Sequence, residues 1–298
     1  MTKNKDHNYI SCLELVQAGK AAHDLGKTLF QDINRRNIKL FDLPAHKRIF
    51  LFIMTRAVKT FAAIEVLCKR GYGQDVSALI RSLLENLITV RYIIYDPRNA
   101  DEKARRFVEY KWVIFKRSLA EEELSVRSAS RAAQQEFSEK KALVLEHVDD
   151  FKKKYHVVSD RALVTWSGKT VKDMARLVNR ELHQEYEAMF RQCSRFAHPT
   201  ILGDKEYIIQ GRKTLTFAPG PSALGVELNY FAATKYFMQY LELINGLFAL
   251  GHEQQLACLR RNFQNAQDCL NKKSLLSPGL SSKSGTHHLK EVKIYFQY

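Results

Sequence analysis

An all-α fold is predicted by three features of this 298-residue sequence: only 13 Gly and 6 Pro interrupt it, apolar residues recur at three- and four-residue spacing through long segments, and one region alone is β-prone. Hydrophobic residues make up 45% of the chain and aromatics 11%, enough to fill a large core, so the expected product is a multi-helix bundle and not a disordered chain.

That spacing predicts helices over 10–34, 44–70 and 74–95. In the third, Val76, Leu79, Leu83, Leu87, Val90 and Ile94 form a core stripe, while Arg81, Glu85, Ile88 and Tyr92 form a second at i, i+4, i+7 and i+11. A stripe that mixes an Arg–Glu pair with Ile and Tyr is expected to lie against another helix. Helices over 101–124 and 128–155 follow. The stretch "EEELSVRSASRAAQQEFSEKKALVLEHVDDFKKKY" is so charged and weakly apolar that it predicts a protruding helical hairpin over about 118–160, inserted in the bundle but outside its core. In the helix over 170–179, Thr170 stands as N-cap with Asp173 at the third position, and Trp166 is expected to anchor the turn before it in the core. A helix over 184–197 runs up to Pro199. In "DKEYIIQGRKTLTFAPGPSA", β-prone residues flank "QGRK" and predict a short β-hairpin over about 204–217. Helices over 222–250 and 253–271 complete one domain, 1–271, and the Ser-, Gly- and Lys-rich 272–298 reads as a mobile basic tail.

Charge and cysteine usage narrow the function classes. Lys and Arg number 47 against 32 Asp and Glu, a formal +15, which favours RNA or another polyanion as partner. The five cysteines, Cys12, Cys68, Cys193, Cys258 and Cys269, are odd in number, far apart in sequence and include no C-x-x-C pair, which argues against structural zinc and a disulfide framework. No nucleophile elbow, P-loop, H-E-x-x-H or two-metal acidic cluster is present, so neither cofactor nor metal is expected. "WSGKT" lacks the earlier glycine of a P-loop and reads as the start of the 170–179 helix. The N-terminus has no signal-like apolar core, and the longest apolar stretch, 230–250, is broken by Lys235 and Glu242; a soluble, cytoplasmic protein is expected, without membrane attachment.

The densest polar motif is "RQCSRFAHPT". On a helical wheel Arg191, Ser194, Arg195 and His198 fall in one sector, and Tyr186, Phe190, Cys193, Phe196 and Ala197 in the opposite one. The first group is either a solvated face ending in a histidine near a helix C-terminus or the open side of a site. Arg81 and Glu85 are likewise either an intrahelical ion pair worth ~0.3–0.5 kcal/mol or a pair reaching across the bundle to fix the His198 imidazole.

Three blocks in order resemble a widespread bacterial family described only as domain of unknown function 5677: Arg81 and Glu85 in "ALIRSLLENLITVRYII", Trp166, Gly168 and Ala175 in "TWSGKTVKDMARLV", and Tyr186, Ser194 and His198 in "EYEAMFRQCSRFAHPT". This resemblance spans roughly Phe50 to Leu250 and implies no activity. A second resemblance, resting on Arg191 and His198 with six residues between them, is to the higher-eukaryote and prokaryote nucleotide-binding (HEPN) helical domains, whose ribonuclease members carry Arg, four to six residues, then His. It implies a metal-independent RNA endonuclease with His198, Arg191 and Ser194 catalytic and Arg81, Glu85 and Arg195 supporting. His198 would handle the 2′-hydroxyl and leaving-group protons, while Arg191 or Arg195 stabilises the charged phosphorane. It further implies a homodimer that completes the cleft, and a toxin-like role in anti-phage defence with a neutralising partner protein. The alternative is a non-catalytic binding or scaffold protein in which Arg81, Glu85, Ser194 and His198 form a buried polar network or ligand site.

Overall fold

The computed structural model describes residues 8–159, 163–197, 208–210, 215–217 and 220–276. The chain runs through α1 (Leu13–Arg35), a 3-10 turn (Leu40–Asp42), α2 (Ala45–Lys69), α3 (Ser77–Ile94), α4 (Ala100–Glu109), α5 (Lys111–Val126), α6 (Arg131–Lys154), α7 (Val171–Val178), α8 (Arg180–Ala197), strands β1 (Ile208–Gln210) and β2 (Leu215–Phe217), α9 (Val226–Phe248) and α10 (Glu253–Leu276). The two strands pair antiparallel, Ile208 opposite Phe217 and Gln210 opposite Leu215, so the expected β-hairpin is present.

The architecture is an all-α bundle around α9, which packs against α1, α2, α3 and α10. Its length is apolar on nearly every face, so Tyr230, Phe237, Tyr240, Leu241 and Ile244 are all buried, and Tyr240 satisfies its hydroxyl by donating to the Leu83 carbonyl at 2.8 Å. Phe61 of α2 stacks on Phe237 at 4.4 Å and on Tyr230 at 6.0 Å, joining α2 to this axis. α1 approaches α9 closely because Gly19 and Gly26, seven residues apart on one face, leave room for the Tyr230 and Phe237 rings.

The helix expected over 101–124 is divided at Tyr110 into α4 and α5. Tyr110 turns inward, donates its hydroxyl to the Leu163 carbonyl at 2.7 Å and packs on Phe151, a distant contact that spacing along the helix does not encode. The charged hairpin is formed by α5 and α6. Its base belongs to the core through Val113, Leu119, Val144, Val148 and Phe151, and its outer part is laced by exposed Lys140–Glu122 and Lys141–Glu123 pairs. α8 begins at Arg180, four residues before the expected start, because the Asn179 side chain caps it by accepting from the Leu182 N–H at 2.7 Å. α10 runs on to Leu276, and 277–298, most of the expected tail, lies outside the described residues. Among the described residues no helix is long and apolar enough to cross a membrane.

Candidate functional site

The second stripe of α3 meets α8, as its mixed composition requires. Arg81 Nε donates to Glu85 Oε1 at 2.8 Å, and the guanidinium lies 4.3 Å from the centroid of the Phe190 ring, which is itself 5.5 Å from Tyr186. Glu85 therefore aims Arg81 at an aromatic face presented by α8, a geometry favourable to a cation over a π system. The side chains are 31% and 30% exposed, so the ion pair itself contributes only about 0.3–0.5 kcal/mol. The hydrogen bond from Arg81 to Glu85 holds the guanidinium above its ordinary pKa, and burial pushes the neighbouring Cys193 thiol up to about 12.

Leu182, Met189 and Cys193 turn into the core, while Arg191 and Phe190 are exposed. It is the Tyr186, Phe190 and Cys193 sector that meets Arg81 and Glu85, and Arg191 faces outward beside it. Ser194 and Arg195 lie on the described backbone of α8, their side chains outside the described residues, and His198 lies outside them altogether. The structure thus brings Arg81, Glu85, Tyr186 and Phe190 to one seam, while Arg191 lies exposed on α8 near Glu187.

The middle sequence block frames that seam. Trp166 is buried between Tyr92 and Phe107, at 5.8 and 5.3 Å between ring centroids. Thr170 Oγ1 accepts from the Asp173 N–H at 3.1 Å and donates to its carboxylate at 2.7 Å, the expected cap of α7. Ala175, fully buried, lets α7 sit against both α3 and α8. The described residues of the three blocks, far apart in sequence, pack together through α3, α7 and α8.

At the other end of the same two helices a half-open cavity of about 590 Å³ opens where α8, packed on α3 and α7, stands off from α9 and α10. Lys235 of α9 bridges to Glu185 of α8 at 2.5 Å, and Arg260 of α10 pairs with Glu242 of α9 at 2.7 Å. Arg91, in the last turn of α3, also lines the cavity, and burial pulls its guanidinium below its ordinary pKa, with Glu185, Glu242 and Glu181 opposing that shift at longer range. Sequence reasoning missed this cavity. Its only sequence signal is the pair Lys235 and Glu242, two charges seven residues apart on one face of an otherwise apolar helix.

Cys12 and Cys269, 257 residues apart, also come together: their thiols and the Glu14 carboxylate lie within 4.8 Å of one another, and the Cys12 thiol is 3.5 Å from Glu14 Oε2. This is a donor set able to hold a thiophilic divalent ion, which sequence spacing disfavoured because α1 and α10 meet only through the fold. Burial, the largest effect, pushes the Cys12 thiol up to about 12.

Fold and site together define an all-α bundle in which an α3–α8 interface, framed by α7, carries the Arg81–Glu85 pair. The family comparison coincides with that unit: residues 47–213, from α2 through α8 and β1, match the model of the family of unknown function DUF5677, and the chain belongs to that family. No curated protein and no solved structure matches the chain.

Proposed function

We propose that the chain is a metal-independent RNA endonuclease of HEPN-like type, with the exposed flank of α3 and α8 as its RNA-binding surface. The observation that carries this reading is the seam itself: α8 turns Arg191 to solvent next to Phe190, and Glu85 holds Arg81 over the same ring. Guanidinium groups beside an aromatic face suit single-stranded RNA, whose phosphates need cations and whose unstacked bases need a flat apolar partner. His198 follows directly in sequence on the last residue of α8, with six residues between it and Arg191, and is assigned the proton transfers. Arg191 and Arg195 are assigned to the phosphorane charge and Ser194 to the same open face. A formal charge of +15 supports the retention of an RNA backbone near such a site. A homodimer bringing two His198 side chains together belongs to this proposal, as does an anti-phage effector role with a neutralising partner.

One observation favours the alternative of a non-catalytic polar network. Glu85 is satisfied by Arg81 within the chain, and both press on buried Cys193, so the pair also serves to hold α3 and α8 in register. The experiment that separates the two is cleavage of 5′-labelled RNA in EDTA by purified wild type, His198→Ala and Arg191→Ala, together with growth of cells expressing each. Cleavage and toxicity lost in His198→Ala at an unchanged melting temperature support the nuclease. Cleavage that survives His198→Ala, or its absence in the wild type, removes it in favour of the network.

A further inference from the structure

We propose that the cavity between α3, α8, α9 and α10 is a binding site for a small zwitterion of the α-amino acid class, its carboxylate held by Arg91 and its ammonium by Glu185 and Gln239. This assignment is independent of the ribonuclease proposal.

Three observations converge on it. First, Arg91 Nε is buried with no hydrogen-bond partner, and among the described residues no carboxylate lies within ion-pair distance of this guanidinium. A guanidinium partly withdrawn from water is ordinarily matched by a carboxylate on its planar fork. Arg91 is half-buried, and the Glu185, Glu242 and Glu181 carboxylates act on it only at longer range, so it is a cation placed for a further anion in direct contact. Second, the same cavity holds the reverse demand. Glu185 accepts from Lys235 through Oε1, but its Oε2 is buried without a donor, as is Gln239 Oε1. An ammonium, with three N–H groups and no acceptor, is the ligand group that meets two such oxygens at once.

Third, the charges lining the cavity balance: Arg91, Lys235 and Arg260 stand against Glu181, Glu185 and Glu242. A nucleotide phosphate would bring net negative charge close to three carboxylates, and a simple amine would bring net positive charge close to three cations. A zwitterion adds neither and can orient its two ends to opposite partners. The remaining wall is apolar, formed by Leu182, Phe231, Met238 and Phe263, and receives a large apolar side chain. A volume of about 590 Å³ lies within the usual range for small-molecule sites.

The test uses the full chain, with thermal melting and calorimetric titration against the twenty free L-amino acids and their N-acetylated forms as probes. At least one free amino acid with a large apolar side chain is expected to raise the melting temperature and titrate saturably, with its N-acetyl form binding about tenfold or more weakly through loss of the ammonium. Arg91→Met is expected to abolish binding while leaving the unliganded melting temperature equal to or above wild type, because it removes an unmatched buried charge. Should Arg91→Met fail to fold, Arg91→Lys keeps the charge, loses the planar fork, and is expected to weaken binding at least tenfold. The proposal is overturned if no free amino acid binds, if acetylated and free forms bind equally, if adenosine monophosphate binds where amino acids do not, or if the Arg91 variants bind as wild type.

Discussion

Gly19 illustrates at the scale of a single residue how little slack the bundle has. A methyl group there would stand 2.0 Å from the Tyr230 hydroxyl and 2.5 Å from its ring carbon Cζ, and Tyr230, fully buried between α1 and Phe61, has nowhere to retreat. Gly19→Ala is therefore expected to destabilise the fold by about 1–3 kcal/mol despite the better helix propensity of alanine, lowering the melting temperature by roughly 3–10 °C. Gly246, in the last turn of α9, supplies the contrast: it is exposed and a methyl group there meets nothing within 4 Å. Gly246→Ala is expected to stabilise by about 0.4–1 kcal/mol, by restricting the unfolded chain. Thermal denaturation of the two variants side by side checks both signs. Equal melting temperatures would mean that α1 and α9 are not in the close contact described.

Among the elements, the C-terminal end of α1 is tied to the turn between α9 and α10 by polar groups. Arg36 donates to the carbonyls of Phe248 and Ala249 at 2.8 and 3.0 Å, and Asp32 Oδ2 lies 2.6 Å from His252 Nε2. The hydrogen bond with His252, reinforced by Arg35, holds the Asp32 carboxyl below its ordinary range against the opposing effect of desolvation. A carboxyl depressed in the folded state contributes stability that is present above its unfolded pKa of about 3.9 and is lost as pH falls through the lower, folded value. Asp32→Asn should therefore melt below wild type at pH 6–7, with the difference closing as both are taken below about pH 4; a constant difference across that range would sink this assignment. The same scale explains what was legible in advance. The second stripe on α3 foretold that another helix covers it, because a helix carries its own record of which face is covered; that the Tyr186 and Phe190 side of α8 does so was not foretold. The break at Tyr110 left no such record, since the Leu163 carbonyl its hydroxyl meets is distant in sequence, and the cavity left only Lys235 and Glu242, since a gap bounded by four helices belongs to no single periodicity. Ser194, Arg195 and His198 were legible as a motif, and their side chains lie outside the described residues.

At the scale of the whole molecule, under the proposed RNA-binding function, the retention of a polyanion is assigned to the excess of 15 positive charges and its location to the α3–α8 flank. Each phosphate neutralised on a single strand makes log K against log salt steeper by about 0.7, so the slope counts contacts without requiring cleavage. With a short RNA in EDTA, Arg191→Ala is expected under that proposal to make the slope shallower by up to about that amount, because Arg191 is an exposed cation on the flank assigned to the RNA. Arg81→Ala should do less, since Glu85, hydrogen-bonded to it at 2.8 Å, already offsets its charge. By the same logic Glu85→Gln should strengthen binding and steepen the slope, the opposite of what removing a purely structural partner would do. Replacing Lys272, Lys273, Lys283, Lys290 and Lys293 together measures the share held outside the bundle, a change of at most about 3.5 in slope if all five meet phosphate. Fluorescence anisotropy between low and moderate salt checks all four variants at once. If Arg191→Ala and Glu85→Gln leave the slope unmoved, RNA does not lie on the α3–α8 flank, and the charge of the molecule serves another surface.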